Sequence, residues 1–361
     1  LASEWMSDDA KTWVFRGLPG VEFHNGKTLD ATDVVESFRH HMGPESKSAA
    51  SGLAAQIEEV RADGDTVVFV LGTPNADWPY IVSDYHFAIC PARAEGGIDW
   101  GSGVGTGGYV LETFDPGVRT FVRRFENYWK QDAAFFDSID NLFIADATAR
   151  TNALRSGEIE SMANLDPKVA GLMERDPNVT VLITTGNKHA TLPMHCNTAP
   201  FDNPDVRMAL KLALDRQQAL DTIAFGYGEI GNDHPIGPAN TFRATPEELP
   251  QREYDPERAK FHLQQAGLDG LTVDLHLADT AFEGAVEAGS LYAEAAKAAG
   301  IDIRVVREPD DGYWSDVWLV KPWCASYWGG RPTEDWMFSQ VYQAGAEWNE
   351  TRWDNGRFND L

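Results

Sequence analysis

Apolar and polar positions along this chain predict most of its elements. Short strands are expected at 13–18 and 21–23, around Pro19-Gly20, and Asn25-Gly26 behind them is a tight-turn signal. Asp30 then caps a helix, with Asp33 near its positive end and Val34, Phe38 and Met42 on one apolar face. Residues 56–62 and 66–71 flank Asp63-Gly64 as a hairpin; 109–114 and 120–125 flank Asp115-Pro116-Gly117 as another. Residues 147–155 predict a helix with Gly157 just past its end, and 167–175 predict a second. Strands are expected at 179–184 and 191–197. Between 205 and 223 the spacing predicts one long amphipathic helix, with Val206, Leu210, Leu214 and Leu220 among its buried side chains. A strand at 271–277, an Ala-rich helix at 285–299 stopped by Gly300, and a strand at 301–306 have the spacing of a parallel β-α-β unit. A last strand at 322–328 is broken by Gly329-Gly330. The class is α/β, with boundaries near Thr106-Gly107 and near Asn197.

At 361 residues the chain is too long for one simple core, which suggests two or three domains. Its 56 acidic residues outnumber 30 basic ones and give a net charge of −26. A field of that sign repels phosphate backbones, so nucleic acid is excluded as a partner. The acidity reads as solubility and not as a clue to a ligand. No stretch approaches the ~20 apolar residues of a membrane span. The chain opens at Leu1-Ala2-Ser3 without an initiator Met and closes at Asn359-Asp360-Leu361 inside what reads as an element. We therefore expect a piece of a longer protein, and the missing signal peptide does not decide its compartment.

Chemical motifs fail on context. Gly103–Gly108 and Gly226–Gly231 both match GxGxxG. The first runs into a strand and the second follows a helix, so neither puts a pyrophosphate at a helix N-terminus, and both read as turns. Residues 20–28 resemble a phosphate loop only loosely. No GxSxG elbow and no HExxH pair occurs. Cys90, Cys196 and Cys324 are widely spaced, with no Cys/His ligand pattern, and the nine histidines do not cluster, so no metal and no cofactor is expected. His40-His41 is read as solvent-facing on the first helix. Paired catalytic carboxylates remain an alternative, set against a solvated acidic surface.

Several segments, in order, resemble one family. Residues 13–18 followed by 20–26 resemble its "F-x-L-R … G-V-x-F-H-D-G" hairpin, and Leu29-Asp30-Ala31-Thr32-Asp33-Val34 resembles its "L-T-A-x-D-V" helix start. Gly105-Thr106-Gly107-Gly108-Tyr109 resembles "G-T-G-P-Y", with Gly108 in place of Pro, and Asn127-Tyr128-Trp129 resembles "N-x-x-Y-W". Leu154–Ile159 resembles "L-x-S-G-E-I-D", and Asn197–Asp202 with Val206–Leu210 resembles "N-x-x-x-P-F-x-D … V-R-x-A-L". The family is the extracellular solute-binding proteins of ABC importers, family 5, the peptide, nickel and opine class. The resemblance covers nearly all of the chain, with an N-terminal and a C-terminal segment of the family absent. It implies a two-lobed, periplasmic-binding-protein-like α/β fold of type II, in its three-domain variant. A monomer in the periplasm would close its lobes over a small solute and deliver it to an ABC permease and ATPase. On this basis 1–105 is the accessory domain of the first lobe, 106–193 its main domain, and 194–361 the second lobe.

The site is expected beyond the carboxyl end of the strand at 322–328, because ligands of open α/β sheets sit there. The segment from Trp323 to Trp336 resembles the family's ligand-contacting stretch. It is rich in aromatics, carries Arg331, and has glycines that permit close backbone approach. Trp323, Tyr327, Trp328, Gly330, Arg331, Asp335 and Trp336 are the candidates. Alternation places Trp323 and Tyr327 on one face and Cys324 and Trp328 on the other. Against this, Trp323 and Trp336 also suit a core, and Arg331 also suits a surface pair with Glu334. His195 and Asn197, on one face of a strand, and His234, after a Gly-rich turn, are further candidates, each with a structural role as its rival. Peptide-binding members tend to carry Asp where Gly330 falls, although Asp335 is near. The expected solute is therefore opine-like, sugar-like or a modified peptide, in preference to a free-amine peptide. The rival functions are a hydrolase with paired carboxylates in the cleft, and a sensor or chaperone presenting its ligand to a receptor. Cys196 and Cys324 are expected to approach each other closely enough for a disulfide.

Overall fold

The computed structural model describes residues 1–360 apart from 185, 239 and 241. The chain divides into two compact units, Leu1–Ala145 and Asp146–Leu361.

The first unit is built on a four-stranded antiparallel sheet. Its strands are β1 (Ala2–Met6), β2 (Thr12–Gly17), β3 (Ile57–Asp63) and β4 (Thr66–Leu71), in the order β1-β2-β4-β3. Helix α1 (Ala31–His41) packs on it, Phe38 meeting Phe69 edge-on and Phe87 face-on, each at 4.8 Å between centroids. Asp30 caps α1 as expected: its carboxylate accepts from the amides of Thr32 and Asp33, while Asp33 accepts from the Asp30 amide at 3.0 Å. Asp33 is fully buried. It pairs with Lys27 and accepts from the Ala92 amide at 2.7 Å, so one carboxylate ties the 25–28 turn, the helix start and the 91–92 strap together.

Two expectations fail here. The buried stripe of α1 runs through Val35, Phe38 and His41 instead of Val34, Phe38 and Met42. His41 is accordingly inside, bonded to Ser48 Oγ at 2.6 Å and edge-on to Phe87, while His40 is exposed. Residues 21–23 form only a bridge, Glu22 to Thr28, across the Asn25-Gly26 turn. Short helix α2 (Ser51–Ala54) leads from α1 into β3, and after β4 short helix α3 (Trp78–Ile81) precedes a second, three-stranded antiparallel sheet. Its strands β5 (Tyr109–Asp115), β6 (Arg119–Arg124) and β7 (Ser138–Leu142) include the expected hairpin.

The second unit opens with α4 (Ala147–Ser156), ended by Gly157 in the left-handed conformation, and α5 (Pro167–Met173). The strand expected at 179–184 is absent. Those residues have no ladder partner, and Leu182 and Ile183 are exposed. The strand expected at 191–197 is shorter and earlier: β8 is His189–Thr191. Pro193 has no amide to donate, so pairing resumes only as the bridge from Met194 to Trp323. The long helix is two, α6 (Pro204–Leu212) and α7 (Arg216–Thr222). Asp215 breaks the run by accepting from the Gln218 amide, which starts a new helix.

Helix α8 (Pro256–Gln265) precedes the β-α-β unit: β9 (Leu271–Leu277), α9 (Ala285–Ala296) and β10 (Ile301–Arg307), with β9 and β10 parallel. Leu271, Val273, Leu275 and Leu277 face the core while Thr272 and Asp274 face out. Gly289 lets α9 lie close to β9, because a Cβ there would stand 2.2 Å from Leu277 Cδ1. The remaining elements are α10 (Tyr313–Asp316), β11 (Ser326–Trp328), α11 (Glu334–Val341) and α12 (Gly356–Asn359). Strand β11 pairs with β8 antiparallel, and the Cys324–His276 bridge joins the 323–324 segment to β9.

The expected Cys196–Cys324 disulfide is not formed: all three cysteines are free thiols. The antiparallel register explains this. With Met194 opposite Trp323, the chain carries Cys196 away from Cys324 along the ladder.

Candidate functional site

The 322–328 stretch approaches its turn through the core. Trp323 is 1 % exposed and packs against Phe201 and Tyr292, both at 5.7 Å, with its indole N–H on the Leu192 carbonyl at 3.2 Å. It is part of the main hydrophobic cluster of the second unit. Tyr327, on the outer side of β11, is 40 % exposed, with Lys188 Nζ 5.0 Å from its ring centre and Trp314 edge-on to it. Trp328 points inward, beside Trp318 and Trp348, and its indole donates to Glu350 Oε1 at 2.8 Å.

The turn itself is close-packed. Gly330 has φ +73°, and a Cβ on it would stand 2.2 Å from Asn187 Cβ. No L-residue suits that position on either count. Arg331 follows with its guanidinium 5.7 Å from the Trp328 ring centre and 5.8 Å from that of Trp336. Its Nε donates to Gln340 Oε1 at 2.6 Å and its Nη1 to the Gly330 carbonyl at 2.7 Å. Thr333 then caps α11 through the Trp336 amide, and Asp335 in the first turn accepts from Ser339 Oγ at 3.1 Å. Trp328, Gly330, Arg331 and Trp336 thus form one assembly, with Tyr327 and Asp335 adjoining it in the chain.

Several polar atoms around this assembly are buried with no hydrogen-bond partner among the described residues: Asn187 Oδ1, His189 Nε2, Trp336 Nε1 and Gln340 Nε2. Buried polar groups are nearly always paired, so four such atoms in one neighbourhood set it apart from the rest of the packed interior. Burial lowers the His189 pKa and favours the neutral ring, and the bond to the Asn187 carbonyl opposes this in part.

The other candidates lie apart. His195 is buried, its amide on the Pro322 carbonyl, and burial lowers its pKa, with Arg352 adding to the effect. Asn197 is exposed in a turn and accepts from Thr198 Oγ1, so it shares no strand face with His195. Neither makes a hydrogen bond, ion pair or ring contact with residues 327–336 among the described residues. His234 Nδ1 accepts from the Ile236 amide, and Ile236 packs with Trp328, Met337 and Val341, so His234 braces the loop beneath the turn.

Sequence reasoning missed Glu350. It is 2 % exposed and accepts from the indoles of Trp318 (2.7 Å) and Trp328 (2.8 Å) and from Thr191 Oγ1 (3.3 Å). Burial raises its pKa above the ordinary carboxylate range, and these bonds offset part of that rise. Nothing in the sequence sets it apart from Glu347, Asp354 and Asp360 in the same aromatic-rich stretch. Among the described residues, no group of three His, Cys, Asp or Glu side chains could hold a metal ion, and no helix is long and apolar enough to cross a membrane.

An α/β chain with an aromatic- and arginine-lined turn at the end of a strand has the features of a solute-binding protein. Residues 1–350 match the model of the bacterial extracellular solute-binding proteins, family 5 middle region, and the chain belongs to that family. It is 28 % identical over 304 residues to the dipeptide-binding protein of Escherichia coli K12, covering 76 % of this chain and 56 % of that one. It thus spans little more than half the length of that relative. Among solved structures, the ABC transporter-associated periplasmic binding protein DppA of Helicobacter pylori, in complex with the peptide STSA, superposes with a TM-score of 0.87 at 21 % identity. All of this chain and 76 % of that one are covered. The binding protein AgaA of A. tumefaciens R10, in complex with agropinic acid, gives 0.83 at 22 % identity, covering 100 % and 75 %. The fold is therefore the α/β fold of these periplasmic binding proteins.

Proposed function

We propose that this chain belongs to a protein that captures a small solute outside the cytoplasm and hands it to an ABC permease without changing it. The observation that carries the reading is the Gly329–Trp336 turn. An arginine held between two indoles and oriented by Gln340 sits among buried polar atoms that lack partners. Stacking area, one cation and unmet hydrogen bonds are what a solute site needs. Tyr327, Trp328, Gly330, Arg331, Asp335 and Trp336 are the proposed contacts, and Trp323 supports them from the core. The expected division into 1–105, 106–193 and 194–361, with ligand-driven closure of the lobes, belongs to the same proposal. Capture without chemistry is favoured by Glu350: the buried carboxylate beside the turn is engaged by two indole N–H groups and is not presented to a substrate.

The solute is proposed to be peptide-like, opine-like or a small saccharide, with the free-amine peptide disfavoured by a glycine at position 330. Native mass spectrometry of the purified protein, followed by calorimetric titration, tests this. A co-purifying small molecule that rebinds unchanged, and binds at least about tenfold more weakly to Arg331→Gln, is expected. Turnover of that molecule, or unaltered affinity in Arg331→Gln, overturns the reading, and tight binding of ordinary dipeptides overturns the preference among solutes.

A further inference from the structure

Two side chains of α11 carry hydrogen-bond donors that lack an acceptor, and both side chains lie against Arg331. Trp336 and Gln340 are 4 % and 3 % exposed. They stand one helical turn apart and so share a face of α11. Trp336 Nε1 and Gln340 Nε2 are shut off from solvent, and neither has a hydrogen-bond partner among the described residues. Asp335 and Ser339, each one position earlier, pair with each other on the neighbouring face.

Measured contacts gather these groups around one guanidinium. Arg331 Nε lies 2.6 Å from Gln340 Oε1, and its guanidinium carbon is 5.8 Å from the Trp336 ring centre. The Gln340 amide cannot turn over to satisfy itself. A guanidinium only donates, so Gln340 has to offer it the oxygen, which leaves the NH2 as the unpaired end. The Trp336 indole nitrogen is a donor only. The neighbourhood therefore combines unpaired N–H groups of one polarity with a positive charge held in place. A buried donor left unpaired costs free energy that an acceptor recovers, and because these atoms are closed to water, that acceptor has to be enclosed with them. An ionised carboxylate suits the set best. It accepts only, it has two oxygens to share between two side chains, and its charge is opposite to that of Arg331. A sugar hydroxyl brings one oxygen, no charge and a donor of its own.

We propose that the solute is a small organic acid whose carboxylate is received by Trp336 Nε1, Gln340 Nε2 and the Arg331 guanidinium. This rests on the reading of the 329–336 turn as a solute site. It narrows the solute to acids and sets neutral saccharides aside. The test is isothermal calorimetry on the whole chain. The probe is the molecule that co-purifies, identified by mass spectrometry, set against its own primary amide. If none co-purifies, the probes are D-galacturonate, octopine and N-acetyl-L-alanyl-L-alanine, each against its amide. The acid is expected to bind about tenfold or more tightly than the amide. Trp336→Phe keeps a ring but removes the N–H. It is expected to weaken the acid about fivefold or more while the thermal midpoint of the unliganded chain holds or rises, because a stranded donor is gone. A packing role alone would lower the midpoint and spare the preference for acid over amide. Gln340→Met serves if Trp336→Phe does not fold by circular dichroism. Trp5→Phe, exposed in the first unit, leaves affinity unchanged. A co-purifying molecule without a carboxyl group overturns the proposal, as does an amide that binds as tightly as its acid. So does acid affinity unaltered in both α11 variants, or failure of all three acids to saturate by about 10 mM. A neutral molecule bound unchanged, and lost in Arg331→Gln, overturns the acid and leaves solute capture standing. Turnover of the bound molecule overturns capture itself.

Discussion

Glu350 joins the indoles of Trp318 and Trp328, one on each carboxylate oxygen, at 2.7 and 2.8 Å. Through Trp328 it braces one wall of the aromatic and arginine assembly, and through Thr191 it reaches β8. A tail residue thus holds the strand that leads into the turn.

Removing that acceptor strands two indole donors. Glu350→Ala is expected to cost about 2–6 kcal/mol, at the usual penalty for each buried group left unpaired. Urea denaturation with an unchanged slope and a lower midpoint would show it. Glu350 also sets a pH dependence. Its folded pKa is raised, so the folded state holds a proton that the unfolded state has released, and stability falls as pH rises from the ordinary carboxylate value toward the folded one. Glu350→Gln should flatten that limb.

His41 gives the opposite slope. Burial, with smaller contributions from His40 and His86, pushes its pKa down to about 4 from 6.5. The unfolded chain therefore binds a proton that the fold rejects, and stability is lost as pH falls through 6.5 toward 4. His41→Gln is expected to remove this loss, read as the change in thermal midpoint across that interval.

Gly330 and Gly329 separate backbone strain from mere proximity to the site. Gly330→Ala meets both a left-handed φ and Asn187, and should cost about 1–3 kcal/mol together with solute affinity. Gly329→Ala meets nothing within 4 Å and should stay within about 0.5 kcal/mol of the parent. Paired denaturation curves and calorimetric affinities check both.

Trp323 and Tyr327 should divide stability from binding. Trp323→Ala empties a core position and is expected to cost about 3–5 kcal/mol. Tyr327→Ala removes an exposed ring and should cost under about 1 kcal/mol while weakening solute binding several-fold. Loss of binding in proportion to loss of stability at both positions would contradict the division.

What could be read in advance followed local rules. Asp30 and Gly157 mark helix ends because caps are decided within a turn of chain, and the β9-α9-β10 unit shows itself because alternation and helical spacing are both uninterrupted there. Longer-range competition hid the rest. Asp215 could cap a new helix or ride inside one, and Pro193 ended a strand whose apolar pattern ran on. At the site, the 323–336 segment was legible from its aromatics, its arginine and its glycines. Which ring faces the core was not, because both faces of the 323–324 segment are buried, as Trp323 and Cys324 show, and alternation then carries no inside–outside signal. Asn187, His189, Gln340 and Glu350 carry no local signal; only tertiary packing brings them there.

The register that separates Cys196 from Cys324 has a practical consequence. Within residues 1–361 no thiol oxidation step is called for, because Cys90, Cys196 and Cys324 are all free thiols. Material made in a reducing cytosol and material made beyond the inner membrane should be covalently alike, which frees expression and labelling from any export step.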